Sequence, residues 1–271
     1  MAKPVKEFHQ YLTQPTNGHV SHTNYLISPA TAFLKYTIEA KSAIDLCSRY
    51  FPKKQNQEFT KDSLDSLQHL LSASLPTIMG HFETYQRYLF AGIFDLSVHL
   101  SGFDVNKFFE NLAKDTNITI DWSRLAAHRG IGANSIGTLL SDSMTGWHDP
   151  ERVNRYFGAY KLKFTPYGKD EIEKLKTLWQ LRHSIAHTGG TLSLADAQKV
   201  SSLNNFGGNQ IAFEKQFIFE VARKLHPIVK NTTIGLGSEF KTRLIASTTA
   251  TDKKKIDSFF EVKSSIPTWL K

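Results

Sequence analysis

Three features of this 271-residue chain predict an all-α fold. Apolar side chains recur at three- and four-residue spacing, prolines and small polar residues stand where helices begin, and no convincing run alternates polar with apolar residues as a strand would. The pattern is strongest over residues 77–100. There Phe82, Tyr85, Tyr88, Leu89, Ile93 and Leu96 repeat with helical spacing and further aromatics lie between them, so this helix is expected to be buried on most sides and to form the spine of the core.

The other elements follow in order. Residues 1–20 carry Pro4, Pro15, Thr16, Asn17 and Gly18 without periodicity and read as a flexible arm. Pro29 suits the first turn of a helix over about 30–50, and shorter helices are expected over 105–114, 122–127, 136–142 and 150–160, the last with Asp149 as its cap. A helix from Lys169 or Asp170 to His187 is signalled at both ends. Asp170, Glu171 and Glu173 in its first turn oppose the helix dipole, and Gly189 or Gly190 stops it. After a loop over 201–209, a last long helix is expected over 214–230, kinked or stopped by Pro227. The stretch after Ala246 reads as a solvated tail before a final apolar piece at Ile256, Phe259 and Phe260. The organisation expected is one helical domain over 21–245 between flexible termini.

A formal charge of +8 and a pI near 9.4 suit a polyanionic partner, and 40% hydrophobic residues suffice for a core. Cys47 is the sole cysteine, which excludes an intrachain disulfide framework and a cysteine-based zinc site. The first ten residues lack the apolar stretch of a signal peptide, and the most apolar segment, 88–100, is interrupted by Asp95 and His99. A cytoplasmic protein with no membrane partner is expected.

The run Arg182-His183-Ser184-Ile185-Ala186-His187, cut off by Thr188-Gly189-Gly190, carries the chemistry. In a chain with 11 histidines, an arginine five positions before a histidine arises by chance about 0.4 times, so position must supply the specificity. At about 100° per residue, Leu175, Leu178, Trp179, Ile185 and Ala186 share one broad arc with Arg182 near its middle. A charge there is costly unless it is ion-paired or the arc lines a cleft or subunit interface. Arginine offers a planar cationic fork for phosphate, and histidine exchanges protons near neutrality. Cleavage of RNA by its own 2′-hydroxyl needs a base, an acid and a cation. His187 stands about 140° round an ideal helix from Arg182, so a two-fold dimer that packs this helix on its mate would bring two copies of each into one cleft. His183, one turn from His187, is the intrachain alternative.

This run resembles the motif of the HEPN superfamily (higher eukaryotes and prokaryotes nucleotide-binding): Arg182 matches the arginine, His183 the polar position and His187 the histidine. The aromatic-rich helical surroundings look like its RiboL-PSP-HEPN or MAE_28990-like branches. The resemblance implies a HEPN-like helical bundle with additional helices. It also implies a homodimeric, metal-independent endoribonuclease that leaves a 2′,3′-cyclic phosphate, uses no cofactor, and serves as a toxin or antiviral defence effector restrained by an antitoxin or regulatory protein. The tyrosine that one toxin subgroup carries two residues beyond the histidine is replaced here by Gly189.

Other signals are weaker. His183 and His187 have the spacing of two imidazoles sharing a metal, but Ser184 stands where a zinc protease carries its glutamate, and no metal is expected. His81, His99, His128 and His148 are scattered, and the glycine-rich stretch from Gly130 to Gly137 fits no phosphate-loop spacing. Arg124, Arg129, Arg152, Arg155, Lys174 and Lys176 are candidates for gripping an RNA backbone. Lys161, Lys163, Tyr156, Phe157, Tyr160 and Tyr167 lie among them, the aromatics as possible stacking platforms or, equally, as core. A non-catalytic module binding RNA, nucleotides or a protein is the alternative reading.

Overall fold

The computed structural model describes residues 7–13, 19–116 and 135–264. Among them the fold is all-α, with isolated bridges such as Thr191 to Gln210 but no strand. Helices α1 (His22–Ile27) and α2 (Pro29–Tyr50) lead to α3 (Lys61–Leu96), which is followed by α4 (Val105–Leu112), α5 (Ile136–Ser143), α6 (Pro150–Gly158) and α7 (Lys169–His187). A short α8 (Leu194–Ala197), the long α9 (Phe217–Thr242) and α10 (Ala250–Phe259) complete the order. No helix among the described residues is long and apolar enough to cross a membrane.

The spine predicted from aromatic spacing is α3, which packs on α1, α2, α5, α6, α7 and α9. It begins 16 positions before the expected 77, capped by Thr60, whose hydroxyl accepts from the Ser63 amide at 3.3 Å. Pro76 lies inside it. An interior proline removes one backbone hydrogen bond and costs about 3 kcal/mol. Leu67, Leu71 and Leu75 on one side of it, and Ile78, Met79 and Phe82 on the other, are all within 1% of full burial, which offsets that loss. The last long helix likewise continues through Pro227 to Thr242, well past the expected 230.

The segment read as a solvated tail is a second correction. Residues Ala250–Phe259 form a helix capped by the Thr249 hydroxyl, and Ile256, Phe259 and Phe260 are buried. Phe259 occupies the space beside Gly92, where a Cβ would come within 2.2 Å of its ring, and Phe260 fills the equivalent space at Gly237. The expected helix over 122–127, the Gly130 turn, Arg124, His128 and Arg129 lie outside the described residues.

Where α1, α2 and α3 meet, the Tyr25 hydroxyl and His81 Nδ1 are 2.8 Å apart and Tyr36 stacks on the His81 ring at 3.4 Å. Burial holds His81 below the ordinary histidine value, with Glu39 pulling weakly the other way. A histidine that resists protonation only when folded leaves stability untouched above its unfolded pKa of about 6.5 and lowers it as pH falls toward the depressed folded value. The melting temperature should therefore drop between about pH 7.5 and 5.5, and His81→Leu should lessen that drop. An identical drop in the variant would assign the acid sensitivity elsewhere, first to His226, which burial shifts in the same direction.

Candidate active site

Helix α7 starts and stops as its local signals require. The Glu171 carboxylate accepts from the Gly168 amide at 2.6 Å and closes the first turn. At the other end the Thr188 and Gly190 amides both donate to the Ser184 carbonyl, at 3.1 and 3.2 Å. Gly189 and Gly190 turn the chain away with φ of 62° and 81°, a left-handed conformation that side chains disfavour. The returning strand of chain is pinned by Ile211, whose amide donates to the Gly190 carbonyl at 2.7 Å.

The expected apolar arc is present for Leu175, Leu178 and Trp179, which are buried, and fades to half-buried Ile185 and exposed Ala186. Its neighbour, the fully buried Ser184, accepts from the Gln180 amide at 3.3 Å, a polar pair in the core that helical periodicity does not signal. Arg182 is half-buried, and its guanidinium Nε is shut off from solvent without a hydrogen-bond partner. No ion pair joins it to a carboxylate among the described residues, so the structural ion pair is not what holds it there. The Trp179 indole N–H, one turn earlier, is also buried and unpartnered, and the exposed His148 ring lies 6.3 Å from that indole. An unmet buried donor costs about 1–3 kcal/mol.

His183 and His187 project from the last turns as exposed imidazoles with ring centroids 4.7 Å apart. Because α7 is helical through His187, Arg182 stays about 140° away from His187 around the axis. Within one chain the fold thus joins the two histidines and keeps the arginine apart. The carboxylate of Asp196, within α8, feels His183. The Lys199 ammonium holds its carboxyl below the usual range, at 2.6 Å, with further help from Ser193 and a small contribution from His183. Among the described residues no three His, Cys, Asp or Glu side chains gather closely enough to hold a metal ion.

The candidate RNA-gripping residues divide. Arg155 is held by Asp115 at 2.6 Å, Arg152 lies 3.9 Å from Asp149, and Lys176 bonds Glu151 at 2.7 Å, an interaction that pushes its amine up. Lys174 is exposed at the mouth of a groove between α7 and α9. Exposed pairs of this kind are worth about 0–1 kcal/mol, so a phosphate could displace the carboxylates.

The aromatic platforms are corrected outright. Tyr156, Phe157, Tyr160 and Tyr167 are buried, with the Tyr160 hydroxyl donating to the Phe90 carbonyl at 2.8 Å and the Tyr167 hydroxyl accepting from Gln86 at 3.1 Å. They serve the core and cannot stack on a base. Comparison of the chain with protein-family models, with curated proteins and with solved structures found no match in any of the three.

Proposed function

We propose that the chain is an endoribonuclease whose active site is completed by a second copy of itself. One observation carries the reading: the last turns of α7 present two exposed imidazoles with ring centroids 4.7 Å apart and, on another face, an arginine that no carboxylate among the described residues pairs. His187 of one subunit takes the 2′-hydroxyl proton as the 2′ oxygen attacks phosphorus. His187 of the other gives a proton to the 5′ oxygen as the P–O5′ bond breaks. Arg182 neutralises the phosphorane, and the products are a 2′,3′-cyclic phosphate and a 5′-hydroxyl end. His183, ring to ring with His187, positions it.

The reaction requires the ribose hydroxyl. An oligonucleotide cleaved in the presence of chelator should become resistant when the ribose at the scissile position is replaced by 2′-deoxyribose, and the wild-type product should carry a cyclic phosphate by mass. Equal cleavage of both oligonucleotides would exclude the mechanism.

A binding-only reading draws on a different observation, the exposed Lys174 in the lining of a groove between α7 and α9. It predicts RNA binding that survives His187→Ala and no cyclic-phosphate product from any substrate.

A further inference from the structure

Behind the end of α7 lies an open groove of about 490 Å³ that the catalytic reading does not use. That volume falls within the range of ligand clefts, roughly 300–1,000 Å³. One wall is the first half of α3, with Asp65, Gln68, His69 and Ser72; the others are Ile185 with Gly189 and Gly190, and the returning segment with Gln210 and Ile211.

Three properties define what it would take. Among the described residues no lysine or arginine lines it, in a chain of charge +8, so none of them supplies a cation for a phosphate there. Its polar side chains are unspent: Asp65, Gln68, His69, Ser72 and Gln210 make no side-chain hydrogen bond or ion pair among the described residues. Its walls also offer flat contact, from the His69 imidazole and the branched side chains of Ile185 and Ile211, while Gly189 and Gly190 add backbone without side chains. A flat ligand with a hydrogen-bonding edge and no need of a cation is a nucleobase, which single-stranded RNA presents splayed out for stacking and edge recognition.

Asp65 narrows the choice. A carboxylate only accepts, and its two oxygens match two adjacent donors. Guanine presents such a pair on its Watson–Crick edge, the ring N–H and the exocyclic amine, whereas adenine, cytosine and uracil each place an acceptor beside their donor. We propose that this groove is a guanine subsite, read by Asp65 with the neighbouring amides. Its place beside the cleaved bond rests on the nuclease reading, since Gly189 in its wall is two residues from His187. Its affinity for guanine does not.

The test is therefore a binding measurement on the full chain carrying His187→Ala, which cannot turn over RNA. The 3′-monophosphates of guanosine, adenosine, cytidine and uridine are titrated separately, with inorganic phosphate as a competitor. A bidentate base contact discriminates by roughly five- to 150-fold. Guanosine monophosphate should bind tighter than the other three by that margin, inorganic phosphate should not displace it, and Asp65→Asn should erase the preference. Ala73→Phe, which fills the groove from the exposed side of α3, should weaken all four. Equal affinities, or a guanine preference that persists in both variants, would overturn the subsite. The two readings fail separately. Guanine binding without any cleavage by wild type retains the subsite and removes the nuclease; His187-dependent cleavage indifferent to base and to Asp65 does the reverse.

Discussion

Replacing His187 by alanine is expected to lower RNA cleavage by about 10²–10⁴-fold, the contribution of a positioned proton-transfer group. The fold should not notice. The side chain is exposed at the last residue of α7, where a favourable interaction with the helix dipole is worth about 1 kcal/mol at most. Arg182→Ala should cost about 10²–10³-fold through loss of charge stabilisation. Arg182→Lys should recover little, because an ammonium keeps the charge without the planar fork.

His183→Ala separates the two sources of acid and base. If the partner's His187 completes the site, this variant loses only the positioning of His187 and falls well short of the loss in His187→Ala; if His183 is itself the second group, it falls as far as His187→Ala. Subunit mixing gives an independent reading. When His187→Ala is co-folded with wild type in rising proportion, a site needing both histidines loses activity as the square of the wild-type fraction. A linear decline would mean that each chain works alone, and the composite site would have to be given up.

Phe90→Ala should be the most damaging single truncation for stability, at about 3–5 kcal/mol. Phe90 is fully buried at the junction of α3, α4 and α6, with ring centroids 5.1 Å from Tyr160, 5.6 Å from Trp147, 5.8 Å from Phe157 and 6.1 Å from Phe108. Removing the ring leaves a void that several rigid aromatics cannot collapse into. A fall in melting temperature on the order of 10 °C follows for a chain of this size, while Phe90→Leu, which refills much of the space, should lose far less. Urea unfolding that changes by under about 1 kcal/mol in the alanine variant would show the cluster to be less tightly packed than these distances require.

How much was legible varies by element. The motif helix is legible to the residue at its C-terminus, because acidic first-turn residues and the Gly189-Gly190 stop act locally on the helix they bound. The first half of α3 and the second half of α9 are not legible locally: Pro76 and Pro227 inside them are locally unfavourable and are tolerated because distant helices bury the flanking residues. The helix over Ala250–Phe259 was hidden by its polar composition; its few apolar residues matter because Gly92 and Gly237 leave room for Phe259 and Phe260. For the candidate site, the residue types and their helical register could be read in advance. The pairing of His183 with His187 follows from that register. The carboxylates that engage Arg155 and Lys176, 40 and 25 positions away, could not be anticipated.

The sequence by itself determined that the chain is helical, where the motif helix ends, and which proton-exchanging and cationic groups share its last turns, since each depends on interactions within about four residues. Tertiary packing alone decided that Tyr156, Tyr160 and Tyr167 face inward, that Arg182 keeps an unpartnered donor beside Trp179, and that α3 and the 210–212 segment enclose a groove behind His187. Those outcomes are set by burial and contact between residues far apart along the chain, where local periodicity carries no information about which face meets which neighbour.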